Sequence, residues 1–130
     1  MINPFEIGDT KTYQKTVQAD ETAQFESGEV HPFYGTFALG RDAEWACRLF
    51  VLEMKEEGEE GIGTYLDVKH LAPARVGQMV EFESRLDKVD GRRIHCSFIA
   101  MVGSRKIAVG KTGQMILSSD KLEQLYQENE

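Results

Sequence analysis

One segment limits the fold of this chain more than any other. From Phe37 to roughly Lys55 the residues repeat with helical period and are apolar almost all round. Leu39, Ala43, Ala46, Phe50 and Met54 recur at three- and four-residue spacing, which puts them in one row along a helix. A second row runs Phe37, Gly40, Glu44, Cys47 and Val51, and Trp45 and Leu52 fall outside both. A helix with so little polar circumference is expected to be buried on most of it. The rest of the chain must therefore wrap around it.

After Gly61 the period changes from 3.6 to 2. Ile62, Thr64, Leu66, Val68 and His70 are expected on one strand face, with Tyr65, Asp67 and Lys69 on the other. Val80, Phe82, Ser84 and Leu86 alternate against Glu81, Glu83, Arg85 and Asp87. Asp90-Gly91 signals a hairpin, and Ile94, Cys96, Phe98, Ala100 and Val102 form the next inward face, with His95 outward. Gly103-Ser104 marks another turn before a last strand from Lys106 to Leu117. Thr10 to Gln18, rich in Thr and Tyr, reads as the first strand, followed by a loop ending in His31-Pro32-Phe33-Tyr34-Gly35. Ser118 to Glu130 reads as a short helix with Leu122, Leu125 and Tyr126 facing in. Strand, long buried helix and antiparallel meander make an α+β fold, a single domain over 1–130. A curved sheet wrapped on one helix leaves an edge strand open, so a homodimer or a higher oligomer is expected.

With 130 residues and 41% hydrophobic content the chain has enough apolar material for one core. Its net charge of -7 and the absence of a Lys/Arg cluster argue against nucleic acid and against an anionic membrane surface. An anionic ligand would need a local patch or backbone N–H groups. No apolar run approaches the ~20 residues that span a bilayer. Met1 to Thr10 has no signal-peptide pattern. Cys47 and Cys96 read as reduced core thiols of a cytoplasmic protein, and nothing in the sequence lowers the Cys47 pKa. His31, His70 and His95 lie on separate elements without ligand spacing, so no metal is expected. Val109-Gly110-Lys111-Thr112 has the look of a phosphate loop, but Arg105 occupies the first glycine position and the segment reads as strand.

Three residues are candidates for chemistry. Glu44 is a carboxylate inside an apolar row; desolvation would raise its pKa unless a donor holds its charge, and either condition suits a base or nucleophile. A carboxylate reaching solvent at the row's edge fits the pattern equally. His70 ends its strand before Leu71-Ala72-Pro73, where an imidazole could act as acid or base or simply sit in the core. Thr36 follows Gly35 at the helix start and would pass as an N-cap; helix-start N–H groups could also polarise a carbonyl. Thr36 and Glu44 are eight residues apart, ~12 Å along a straight helix, and could bracket a small acyl group.

The spacing of Thr36, Glu44-Trp45-Ala46-Cys47, Gly63-Thr64 and Val68-Lys69-His70-Leu71-Ala72-Pro73 with Gly77, and the turn Val89-Asp90-Gly91-Arg92-Arg93, resembles the fluoroacetyl-CoA thioesterase-like branch of the hotdog proteins. The similarity runs from about Phe33 to Gly110. The resemblance implies a hotdog fold and hydrolysis of an acyl-CoA thioester by Thr36, Glu44 and His70. Gly63 matches a glycine near the substrate, and Phe33, Gly35 and Phe37 complete the expected binding set. Coenzyme A enters as part of the substrate, and no further cofactor is implied. Two departures stand out. Ser27 and Val30 occupy positions where the fluoroacetyl enzyme carries lid phenylalanines. Thr112-Gly113-Gln114-Met115-Ile116 replaces a Gly-Thr-His-x-Arg pattern, losing the histidine and arginine. Two other readings compete. A hydroxyacyl-thioester dehydratase would need His31 and Glu44 in one pocket with His70 turned away. A non-catalytic acyl-CoA-binding dimer would leave the three residues without turnover.

Overall fold

The computed structural model describes residues 1–129. Five strands form one antiparallel sheet in the order β1-β5-β6-β7-β4: β1 (Thr10–Thr16), β4 (Glu59–His70), β5 (Met79–Asp90), β6 (Arg93–Val102) and β7 (Arg105–Ser118). Helix α1 (Thr36–Met54) lies across the sheet and touches all five strands. The row Leu39, Ala43, Ala46, Phe50 and Met54 is fully buried against it. From the sheet, Val80, Phe82, Ser84 and Leu86 meet this row, as do Ile94, Cys96, Phe98 and Ala100. The alternation of β5 and β6 is therefore what closes the core. Both β5–β6 and β6–β7 join through two-residue turns with glycine first, Gly91 at φ +59° and Gly103 at φ +57°. That position in a tight hairpin needs positive φ, which glycine adopts without strain.

Four expectations are corrected. The stretch expected as a loop before Gly35 is a hairpin, β2 (Thr22–Phe25) with β3 (Gly28–Tyr34), preceded by a 3-10 turn at Ala19–Glu21. Most of β3 is exposed on both faces, so no apolar alternation marks it. Strand β4 carries a bulge: Gly63 pairs with Gln114, Tyr65 with Gly113, and Thr64 is the extra residue. One inserted residue reverses the alternation. Gly61 and Gly63 share the helix-facing side with Leu66, Val68 and His70, and Ile62 and Thr64 do not. Helix α1 is less enclosed than its composition suggests, since Phe37, Trp45 and Leu52 are exposed. Finally, α2 (Ser119–Glu128), capped by the Ser118 hydroxyl accepting from Lys121 N–H, buries none of its residues, and Tyr126 points to solvent. No helix among the described residues is long and apolar enough to cross a membrane.

Candidate active site

The head of α1 is set by backbone contacts. Gly35 is the N-cap, with extended φ −74° and ψ 146°. A Cβ there would lie 3.1 Å from the backbone of Thr22 and Ala23, so a larger residue would push β2 a few tenths of an ångström off the helix start. Gly35 N–H donates to the Glu21 carbonyl at 2.8 Å, and Tyr34 N–H donates to the Ala74 carbonyl at 2.8 Å. Thr36 is consequently the first helical residue and not the cap. Its hydroxyl makes no cap hydrogen bond and instead lies 2.9 Å from His70 Nδ1.

His70 is the last residue of β4, and beyond it Leu71 and Ala72 N–H both donate to the Ile107 carbonyl, at 2.7 and 3.2 Å. Its Nε2 is sealed from solvent without a hydrogen-bond partner among the described residues. Burial, assisted by the nearby His31 and opposed by the Ala72 backbone, pushes the imidazole below its ordinary range. A neutral ring at pH 7 can accept the Thr36 proton at Nδ1 or, as the other tautomer, donate to Thr36 Oγ1.

Glu44 lies two turns further along α1, half-buried. Its Oε1 is 2.5 Å from where a Cβ of Gly63 would stand. It flanks a groove of about 520 Å³ whose walls include Thr36, Phe37, Gly40, Leu66 and Val68. Thr36 also borders a cleft of about 360 Å³ with His31, Phe33 and His70, and a groove of about 630 Å³ under the β2–β3 hairpin with Gly35, Phe37, Phe25 and Val30. Thr36 is thus where three open spaces meet. Glu44 hydrogen-bonds neither Thr36 nor His70 among the described residues. His31 accepts from Phe33 N–H at 3.2 Å and faces the His70 cleft, away from the Glu44 groove. The convergence of His31 on Glu44 that a dehydratase needs is not formed.

A buried charged cluster behind the helix head escaped the sequence reading. Asp42 is 5% exposed and accepts from the Tyr34 hydroxyl at 2.5 Å. Glu21 is as deeply buried and meets Lys15 at 2.5 Å and Arg41 at 2.7 Å. Burial by itself would raise the Glu21 carboxyl, but Lys15, the Gln18 N–H and Arg41 outweigh it and hold the carboxyl low. Burial and the Asp42 hydrogen bond push the Tyr34 phenol far up. These bonds tie β1, the 3-10 turn and β3 to α1, and so fix where Thr36 stands. No local motif marks them, because each bond joins two different elements. Cys47 and Cys96 contact one another in the core, so the structure supplies the Cys47 neighbour that the sequence did not reveal. Both thiols are buried, and Cys47 Sγ also faces the Ser97 carbonyl at 4.0 Å. Among the described residues no three His, Cys, Asp or Glu side chains gather as a metal site would require.

Comparisons with known proteins agree on the architecture. A family model for fluoroacetyl-CoA-specific thioesterases matches residues 17–120. A Thermus thermophilus hypothetical protein of the thioesterase superfamily is 36% identical, with TM-score 0.92 over 98% of this chain and 94% of that one. A hot-dog-like protein from Thermanaerovibrio acidaminovorans is 26% identical, with TM-score 0.86 over 96% and 93%. A variant of the fluoroacetyl-CoA-specific thioesterase, in complex with fluoroacetate and CoA, is 25% identical, with TM-score 0.84 over 91% and 99%. No curated protein matches the chain.

Proposed function

Because this chain belongs to the fluoroacetyl-CoA-specific thioesterase family and is a thioester hydrolase of hotdog fold, we propose that it hydrolyses a small acyl-CoA through Thr36, Glu44 and His70. The observation that carries this reading is the Thr36 hydroxyl held 2.9 Å from His70 Nδ1 at the mouth of the groove that Glu44 flanks. An acyl carbonyl seated by Thr36 would meet the first-turn N–H groups of α1, which lack acceptors within the helix. Glu44 attacks the carbonyl or takes the proton of the attacking water. The Thr36–His70 pair orients the thioester and returns a proton to the departing CoA sulfur. Water and thioester become carboxylic acid and CoA thiol. Coenzyme A is part of the substrate, and no separate cofactor has a role.

Phe33, Gly35, Phe37 and Gly63 are read as substrate-shaping residues. Phe37 supports this best, since it borders two of the three spaces and is 91% exposed. An apolar ring left so open, beside the edge strand β4 with Tyr65 and Leu66 exposed, also favours a homodimer in which a second copy covers the groove. Free thiols at Cys47 and Cys96 favour a cytoplasmic setting. The fluoroacetyl group is not carried over, since Ser27 and Val30 stand on the exposed hairpin where phenylalanines are expected.

Steady-state hydrolysis of a short-chain acyl-CoA panel tests the proposal, with Glu44→Ala and His70→Ala beside the wild type. Each substitution should lower kcat/KM by about 10²-fold or more, the scale of a positioned acid or base. Turnover no faster than in these variants would leave an acyl-CoA-binding dimer as the remaining reading.

A further inference from the structure

Upstream of the bulge at Thr64, Gly63 lies under Glu44 and a buried amide stands opposite Gly63 on the next strand. Gln114 on β7 is 3% exposed, and its strand partner is Gly63, the residue over which the Glu44 carboxylate lies. Directly paired strand positions stand ~4.5–5.5 Å apart on one face, within reach of a glutamine side chain. None of the side-chain hydrogen bonds of the described residues involves Gln114, and its amide atoms are not among those sealed from solvent, so water can reach them. Its Oε1 is 3.6 Å from the empty Cβ position of Gly61. Arg48 Nη1 is 3.2 Å from that same point and donates to the Gly61 carbonyl at 3.2 Å. The amide therefore lies one strand across from the glycine under the Glu44 carboxylate, at a separation a single bridging water can span.

Resting on the hydrolase reading, we propose that Gln114 is a positioning residue for Glu44. Its amide N–H, through one water, holds the carboxylate in the groove. The two glycines are part of the arrangement. A Cβ at 61 would press on Val51, Arg48 and Gln114, and a Cβ at 63 would press on the Glu44 carboxylate. Glu44 makes no side-chain hydrogen bond within the described residues, so without such a bridge its direction is set by rotamer preference alone.

The test is Gln114→Leu, which keeps the buried volume and removes both amide atoms, with Gln114→Met as the second variant should Leu impair folding. Expected is a fall in kcat of at least 10-fold with KM within threefold. Gln114→Glu, isosteric but negative, should lower kcat further by setting a second carboxylate against Glu44. The Glu44 carboxyl carbon, read by carbon-13 NMR at one fixed pH, should change its chemical shift in these variants without any turnover. Folded Leu and Met variants with kcat within threefold of wild type and an unchanged Glu44 resonance would overturn the proposal. A wild type that hydrolyses no acyl-CoA would sink the hydrolase reading alone, and the NMR comparison would still decide the role of Gln114.

Discussion

Gly63→Ala separates function from stability at this site. The added Cβ would stand 2.5 Å from Glu44 Oε1, whereas ordinary contact begins near 3.4 Å, so the carboxylate must retreat by about 0.9 Å. Glu44 is half-buried and the atom that clashes is the end of a flexible side chain. The retreat costs at most about 0.5–1.5 kcal/mol of off-rotamer strain. Replacing a strand glycine by alanine returns about 0.5–1 kcal/mol through the unfolded state. The melting temperature should therefore move by no more than a few degrees. Activity should respond far more, because a displacement of about 1 Å at a reacting group costs on the order of 10²-fold, or about 2.7 kcal/mol of transition-state stabilisation. The assay is kcat/KM on the best acyl-CoA of the panel, beside differential scanning calorimetry. Adding Gly63→Ala to Glu44→Ala should lower activity no further, since the group it displaces is already gone. A single variant with normal Tm and kcat/KM within threefold of wild type would refute the placement of Glu44 at the reacting carbon. Additive losses in the double variant would mean that Gly63 acts on the substrate independently.

Three further outcomes follow from the same geometry. Thr36→Val removes the partner of His70 Nδ1 and should lower kcat/KM about 10²-fold, whereas Thr36→Ser should stay within tenfold of wild type; equal losses would mean that the methyl group is what matters. His70 has a folded pKa below its reference of 6.5, so below that pH the unfolded chain binds the extra proton and stability falls as pH drops toward the folded value. Urea midpoints should decline from pH 7 to pH 5 less steeply in His70→Gln than in wild type, and parallel profiles would count against a buried neutral imidazole. Tyr34→Phe strips the hydroxyl from buried Asp42 and should cost about 1–3 kcal/mol in urea unfolding; a neutral result would show that Arg41 and Lys15, at 3.6 and 3.7 Å, satisfy Asp42 without it.

Periodicity alone specified the long helix and the meander, because a continuous apolar row and strict alternation report burial wherever one face meets the core. Leu39 to Met54 and Val80 to Leu86 took the sides their spacing required. The same rule failed along β4. There a single extra residue at Thr64 reversed the faces upstream, and alternation cannot register a bulge that no turn residue announces. It failed again in the β2–β3 hairpin, where neither face is buried and no pattern is imposed. Tyr126 was expected to face in and does not, because α2 has little to pack against beyond β7.

At the site the division is sharper. Glu44 is legible in the sequence as a carboxylate in an apolar row, and the spacing of Thr36 and His70 carries the family resemblance. Only the tertiary structure gives Thr36 to His70 instead of to the helix cap. Only it brings the Gly63 position against Glu44 and sets Gln114 opposite. The reason is physical: sequence spacing encodes the face of an element, while a site is made of distances between elements. Those distances depend on where a bulge falls, on how closely a glycine lets two backbones approach, and on which buried charges clamp the helix head in place.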